Sequence, residues 1–269
     1  MANKILITGA TDGIGLETAR ILSAQGHHLL IHGRNRQKLD SVQATLSETA
    51  GAGAIDTYMA DLSDLSQVAS FASAVIDKHE SLDVLINNAG VLKSANAITP
   101  DGLDIRFVVN TLAPYLLTQR LLPLMSTRSR VINLSSAAQA PVDLNALAGK
   151  VKLADMEAYA QSKLAITMWS KTMAEKPDAP VVIAVNPGSL LGTRMVKEGF
   201  GMEGKDVQIG ADILCRASLD DDFSDASGKY FDNDSGRFAN PHADAMQPEK
   251  AQAVTQAVES ALAAYNPAT

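Results

Sequence analysis

The stretch Tyr159-Ala160-Gln161-Ser162-Lys163 pairs two titratable side chains inside a segment that reads as helix. A spacing of four sets the phenol and the ammonium on one helical face, a turn apart. A cation beside a phenol favours the phenolate, so the pair predicts a Tyr159 pKa drawn down from about 10 toward the range of a working proton donor or acceptor. The same spacing arises by accident on many solvated helices, and alone it decides nothing. A second signal stands near the start of the chain, in Thr8-Gly9-Ala10-Thr11-Asp12-Gly13-Ile14-Gly15. It follows an apolar strand and opens a helix, the setting in which a glycine-rich turn cradles a pyrophosphate. Gly9 permits the turn, Gly13 lets the backbone approach the phosphates, and Gly15 lets helix and strand pack closely. Thr11, Asp12 and Ile14 complete the loop.

Dinucleotide preference is read where the second strand ends. A carboxylate there would hold the ribose hydroxyls of NAD; this chain has His32-Gly33-Arg34-Asn35-Arg36 instead. Arg34 can grip a 2′-phosphate through two donors, so the expectation is NADP, with NAD left open because Asp12 adds negative charge to the loop. Arg36 and Lys38 read as solvated helix-start charges. Asp61-Leu62 follows the third strand, where the carboxylate could accept the adenine amino group or cap the next helix.

These residues need a scaffold, and the apolar pattern supplies one. Short, almost wholly apolar runs (Lys4 to Thr8, His28 to His32, Ala54 to Met59, Val84 to Asn87, Arg130 to Leu134 and Val181 to Asn186) read as buried parallel strands. Helical stretches alternate with them: Gly15 to Gln25, Arg36 to Glu48, Leu65 to His79, Leu103 to Leu124 and Ala158 to Lys176. That alternation predicts a single α/β domain over residues 1–269, with a Rossmann-like doubly wound parallel sheet. A further strand is expected near Gly228 to Phe231 and a terminal helix over Pro248 to Tyr265. Ser189 to Asp206, within a substrate loop of about 189–208, reads as a mobile lid beyond a strand end.

Together the glycine loop, Asn87-Asn88-Ala89-Gly90, Asn110, Ser135-Ser136, the Tyr159/Lys163 pair and Asn186-Pro187-Gly188 resemble the short-chain dehydrogenase/reductase family, over roughly residues 4 to 195. The resemblance implies that Tyr159 exchanges a proton with the substrate oxygen as hydride moves to or from the nicotinamide. It implies that Lys163 lowers the tyrosine pKa and binds the nicotinamide ribose, that Ser136 holds the substrate oxygen, and that Asn110 holds a water completing a proton path. Asn88, Ala89 and Gly90 would line the cofactor; Pro187 and Gly188 would close over the nicotinamide. Thr193 would contact its carboxamide, although it stands one residue later than the pattern places it. Ser136 and Tyr159 are 23 residues apart, a long gap that resembles the retinol dehydrogenase and protochlorophyllide reductase-like branch. The family often dimerises through the helices at 103–124 and 158–176, so a homodimer or homotetramer is open.

Composition narrows the rest. A net charge of −7 argues against nucleic acid or an anionic membrane as partner, and no apolar run approaches the length of a bilayer span. The one cysteine, Cys215, suits a reducing, cytoplasmic setting and reads as a small buried residue. The five histidines (His27, His28, His32, His79 and His242) show no spacing suited to a metal, so none is expected. Asp220 to Asp222 reads as a solvated turn. The segments around Lys93 to Thr99, Gln139 to Met156 and Leu190 to Gln208 are rich in apolar residues, which favours an apolar carbonyl or alcohol as small-molecule substrate. Two rival readings stand: a non-catalytic dinucleotide sensor, which would not need the four catalytic residues, and a sugar-nucleotide epimerase, which would need a larger C-terminal region.

Overall fold

The computed structural model describes residues 2–265. Eight strands form one sheet in the order β3-β2-β1-β4-β5-β6-β7-β8. They are β1 (Lys4–Ile7), β2 (His28–Gly33), β3 (Ile55–Met59), β4 (Val84–Asn87), β5 (Arg130–Leu134), β6 (Val181–Asn186), β7 (Tyr230–Asp232) and β8 (Arg237–Ala239). All pair in parallel except β8, which turns back antiparallel on β7. The long apolar runs become strands because both faces of the sheet are covered. Leu6, Leu30, Leu85, Val131 and Val182 enter one core, while Ile5, Ile7, Leu29, Ile31, Ile86 and Ile183 enter the other.

The helices are α1 (Gly13–Ala24), α2 (Arg36–Ser47), α3 (Leu65–Lys78), α4 (Ile105–Phe107), α5 (Ala113–Leu121), α6 (Leu144–Leu147), α7 (Asp155–Ala174), α8 (Arg194–Phe200), α9 (Gln208–Leu219) and α10 (Pro248–Ala261). Strand order reverses between β1 and β4, and the crevice beyond their carboxyl ends is where such sheets bind ligands.

The single helix expected over Leu103 to Leu124 is broken. After α4 the chain makes a π-helical turn, Val108–Leu112, before α5, and ends in a 3₁₀ turn, Leu122–Leu124. The π turn carries Asn110, whose side chain bonds outside the helix, and such turns mark places where local demands outweigh helix regularity. The lid segment is also more ordered than a glycine-containing loop suggests. Its base is closed by a bridge between Leu191 and Lys205, where Gly192 N donates to Lys205 O and Lys205 N to Leu190 O, at 2.5 and 2.7 Å. α8 lies inside the closed loop.

The C-terminal helix packs over α7. Val254, Val258 and Leu262 are buried in the same core as Trp169 and Met173, and Thr172 and Thr255 share a hydrogen bond of 2.8 Å. Tyr115 on α5 donates to Glu259 at 2.5 Å, and its ring meets Trp169 edge-on at 5.3 Å.

Candidate active site

The glycine loop occupies the β1–α1 turn, with Gly9 and Gly13 at φ +67° and +53°, where side chains are strained. A Cβ on Gly15 would come within 2.4 Å of both the Asn88 amide and the Gly9 carbonyl, so only glycine admits this approach of helix to strand. Asp12 is the N-cap of α1 and accepts from Gly13 N at 2.8 Å. The loop is held from two sides. Asn88 Nδ2 donates to the carbonyls of Thr8 and Gly9, at 2.8 and 3.2 Å, and Ala89 N donates to Thr8 Oγ1 at 3.1 Å. On the other side Gly9 N donates to His32 Nδ1 at 3.3 Å, while the far nitrogen of that ring is 3.1 Å from Ala60 O. Burial pushes the His32 pKa down to about 4, so the ring is neutral and accepts at Nδ1. His32 is thus a positioning residue that spacing gave no reason to single out.

At the end of β2, a Cβ on Gly33 would meet the Thr11 methyl at 2.6 Å, so an acidic side chain does not fit where an NAD-binding carboxylate would stand. The next residue, Arg34, is exposed and makes no salt bridge among the described residues. Arg36 lies 3.9 Å from Asp40, as a solvated helix charge. The alternative of Asp61 as helix cap is overturned: Asp64 caps α3, and Asp61 accepts from Ser63 N and Oγ at 2.9 and 2.7 Å. A Ser63 hydroxyl two residues on captures the earlier carboxylate first. Leu62 is buried in the core below.

On the opposite side of the crevice stand Ser136, Tyr159 and Lys163. Ser135 Oγ shares a 2.7 Å hydrogen bond with Thr167 Oγ1 on α7, which leaves Ser136 on the open side, as strand alternation predicts. Ser136 is held by its own backbone: its carbonyl accepts from Gln139 Nε2 at 2.9 Å and from Tyr230 OH at 3.1 Å, and its Oγ accepts from Ala138 N at 3.1 Å. Gln139 and Tyr230 escaped the sequence reading because a backbone carbonyl leaves no motif. Lys163 is 3 % exposed and donates to Leu134 O at 2.7 Å, with Nζ 5.6 Å from the Tyr159 ring centre.

The expected drop in the Tyr159 pKa is not what the fold produces on its own. Burial raises it, opposed by a hydrogen bond with Ser136, and burial also pushes Lys163 down to about 8. Desolvation outweighs the neighbouring cation because the ammonium is aimed at the Leu134 carbonyl rather than at the phenol oxygen.

Asn110 bridges Val91, accepting from its N at 2.8 Å and donating to its O at 2.9 Å, and donates to Ser162 Oγ at 3.0 Å. A Cβ on Gly90 would lie 3.4 Å from Asn110 Oδ1 and 3.6 Å from Lys163 Nζ, so all three converge at one spot. α8 covers the same crevice. Thr193 caps it, accepting from Val196 N at 3.3 Å, and its methyl is 3.4 Å from a Cβ built on Gly13. Met195 reaches toward Gly90, and Gly199 leaves room for Leu92. Thr193 therefore sits at the glycine loop. Gly188, at φ +123°, donates to Asn186 Oδ1 at 3.3 Å, and Pro187 O accepts from Asn233 at 2.9 Å. Asp234 further fixes this segment through Ser189 N and Oγ, at 2.9 and 2.5 Å.

A family model described as short chain dehydrogenase matches residues 3–203. The chain belongs to the short-chain dehydrogenase family. Among its relatives, short-chain dehydrogenase TIC 32 A, chloroplastic, of Brassica napus is 31% identical over 251 residues, covering 84% of this chain and 78% of that protein. Retinol dehydrogenase 13 of Homo sapiens is 30% identical over 249 residues, covering 85% and 75%. These relatives agree with the branch to which the long Ser136–Tyr159 gap points. A short chain dehydrogenase of Escherichia coli CFT073 solved with NADPH superposes with a TM-score of 0.68 at 29% identity, covering 86% of this chain and 96% of that one. One of Shigella flexneri 2a solved with NADP gives 0.67 at 28%, covering 86% and 97%.

The residues present fit a dinucleotide: a glycine cradle that a Cβ would fill, an exposed guanidinium at the end of β2, and a buried lysine beside a tyrosine across the crevice. Two sequence expectations fare differently. Asp220 to Asp222 are exposed, as a solvated turn should be. The five histidines have no metal-like spacing along the chain and no metal is expected of them, yet His28 and His79 meet at Asp56. Among the described residues no helix is long and apolar enough to cross a membrane.

Proposed function

We propose that this short-chain dehydrogenase is an NADP-linked carbonyl reductase or alcohol dehydrogenase acting on an apolar small molecule. The observation that carries the reading is the convergence of Ser136, Tyr159 and Lys163 across the crevice from the glycine loop. Bound NADPH supplies the hydride. Gly9, Thr11, Gly13, Ile14 and Gly15 would hold the pyrophosphate, Arg34 the 2′-phosphate, and Asp61 with the backbone of Leu62 the adenine. Asn88, Ala89, Gly90, Pro187 and Gly188 would border the nicotinamide half. Thr193, resting on Gly13, would serve the phosphate end rather than the carboxamide.

Ser136 donates to the substrate oxygen and holds it against the Tyr159 hydroxyl. Tyr159 gives that oxygen its proton in reduction and takes it back in oxidation. Burial keeps the phenol protonated, the form reduction needs. Lys163, easily deprotonated in its buried site, resupplies the proton, and Asn110 fixes the Gly90–Val91 wall beside it. Apolar specificity is supported by exposed hydrophobics on the substrate-facing segments: Ile98, Leu144, Val151, Met156, Leu190, Phe200 and Met202. Apolar side chains exposed along these segments suit an apolar carbonyl compound better than a polyanion.

The packing of α10 over α7 counts against a dimer formed through that face. A reducing cytoplasmic setting agrees with Cys215, whose thiol burial pushes up to about 12 and so leaves inert. NADPH oxidation against a panel of aldehydes, ketones and quinones tests the proposal. Tyr159→Phe should abolish turnover and spare NADPH binding; turnover equal to wild type would end the mechanism.

A further inference from the structure

At the amino ends of the strands, away from the glycine loop, three side chains from three elements converge. His28 opens β2, Asp56 lies near the start of β3, and His79 follows the last turn of α3 as its C-cap. The pairing of Leu30 with Asp56 puts His28 and Asp56 on the same face of adjacent strands, two residues out of register. His28 Nε2 lies 2.8 Å from Asp56 Oδ2, and His79 Nε2 lies 3.6 Å from the same oxygen. One donor atom from each of the three lies within 4.8 Å of the others.

Two imidazole nitrogens converging on one carboxylate oxygen is more than a hydrogen-bond cluster requires. His79 Nε2 is already satisfied by the Tyr58 hydroxyl at 2.8 Å, yet the ring stays beside Asp56. Zinc bonds nitrogen and oxygen ligands at about 2.0–2.2 Å, so tetrahedral ligand atoms sit about 3.3–3.5 Å apart, and the two histidine separations from Asp56 Oδ2 fall on either side of that spacing. Two histidines and one carboxylate also form a donor set suited to a borderline divalent cation. The surroundings fit as well. Lys78 Nζ holds the other carboxylate oxygen, Oδ1, at 2.5 Å, an outer partner that orients Oδ2 inward. His28 and Asp56 keep partial solvent contact, which gives an ion a way in and leaves room for a water as fourth ligand.

We propose that His28, Asp56 and His79 form a Zn²⁺ site that clamps the amino ends of β2 and β3 to the end of α3. The same strands carry Gly33, Arg34 and Asp61 at their other ends, so the ion would brace the half of the crevice assigned to the adenosine without touching the reacting groups. Tyr58 competes with the metal for His79 Nε2.

The test is a Zn²⁺ titration of the full-length, tag-free protein after chelator treatment, against a chromophoric competitor, with thermal unfolding alongside. Wild type should take up one equivalent at micromolar affinity or better and melt at a higher temperature with Zn²⁺. His28→Gln, at a partly exposed position that folding tolerates, should weaken uptake at least tenfold and erase the thermal shift. Tyr58→Phe, by removing the competitor, should bind as tightly as wild type or tighter. Absence of uptake by wild type, equal uptake by His28→Gln, or loss of uptake in a folded Tyr58→Phe would each overturn the site.

Discussion

Lys163 should cost the folded protein stability at neutral pH, and Lys163→Met should return it. The pKa of the buried ammonium is about 8, against 10.5 for an ordinary lysine. Below pH 8 the lysine is charged in both states, and the folded state carries the whole cost of keeping that charge out of water. At about 1.4 kcal/mol per pH unit the cost is about 3 kcal/mol. Between pH 8 and 10.5 the unfolded chain holds the extra proton, so wild-type stability rises with pH through this window. Methionine removes the charge but leaves the Leu134 carbonyl without its donor, which costs about 1–2 kcal/mol. The variant should therefore be about 1–2 kcal/mol more stable than wild type at pH 7. By pH 9.5 wild type regains about 2 kcal/mol and the advantage vanishes. Urea unfolding at pH 7 and 9.5, followed through the fluorescence of Trp169, the one tryptophan, measures both values. A variant less stable at pH 7, or a difference that does not change with pH, would refute the reasoning.

Three further outcomes follow from the geometry. Gly15→Ala sets a methyl within 2.4 Å of Asn88 and the Gly9 carbonyl, so it should cost about 1–3 kcal/mol in thermal or urea unfolding and weaken NADPH at least tenfold in a fluorescence titration. Arg106, 1 % exposed, grips Asp104 through two nitrogens at 2.8 and 2.6 Å and reaches Asp155 at 2.5 Å. Arg106→Ala leaves Asp104 buried and unpaired, and should cost about 3–5 kcal/mol in urea unfolding. Arg34→Ala should weaken NADPH about 10–100-fold by calorimetry and leave NADH unchanged, since one charge-assisted pair is worth about 1.5–3 kcal/mol. An unchanged NADPH dissociation constant would remove Arg34 from the phosphate site.

The central strands were legible because burial on both faces forces near-continuous apolar runs, and β4, β5 and β6 fall on the residues expected. β8 was not, since three residues, Arg237 to Ala239, carry no period, and it exists only because β7 offers an open edge. The sequence pattern hides α9 where Gly210 interrupts it; that glycine admits Leu191 and, behind it, Ile14 of α1. The catalytic residues were legible as types and spacings, but their electrostatics were not. Spacing places a cation near Tyr159, whereas the depth of burial and the direction of Nζ decide the sign of the shift. The meeting of His28 with His79 was hidden for a related reason: strand register, not distance along the chain, makes them neighbours.

The packing of α10 has a consequence for how the enzyme behaves on dilution. The helix that carries Tyr159 and Lys163 is backed by residues 251 to 262 of its own chain, joined by a covalent tether that cannot be diluted away. Its support is intramolecular, so the melting temperature and specific activity should hold constant across protein concentration, where a catalytic helix braced by a second subunit would lose both.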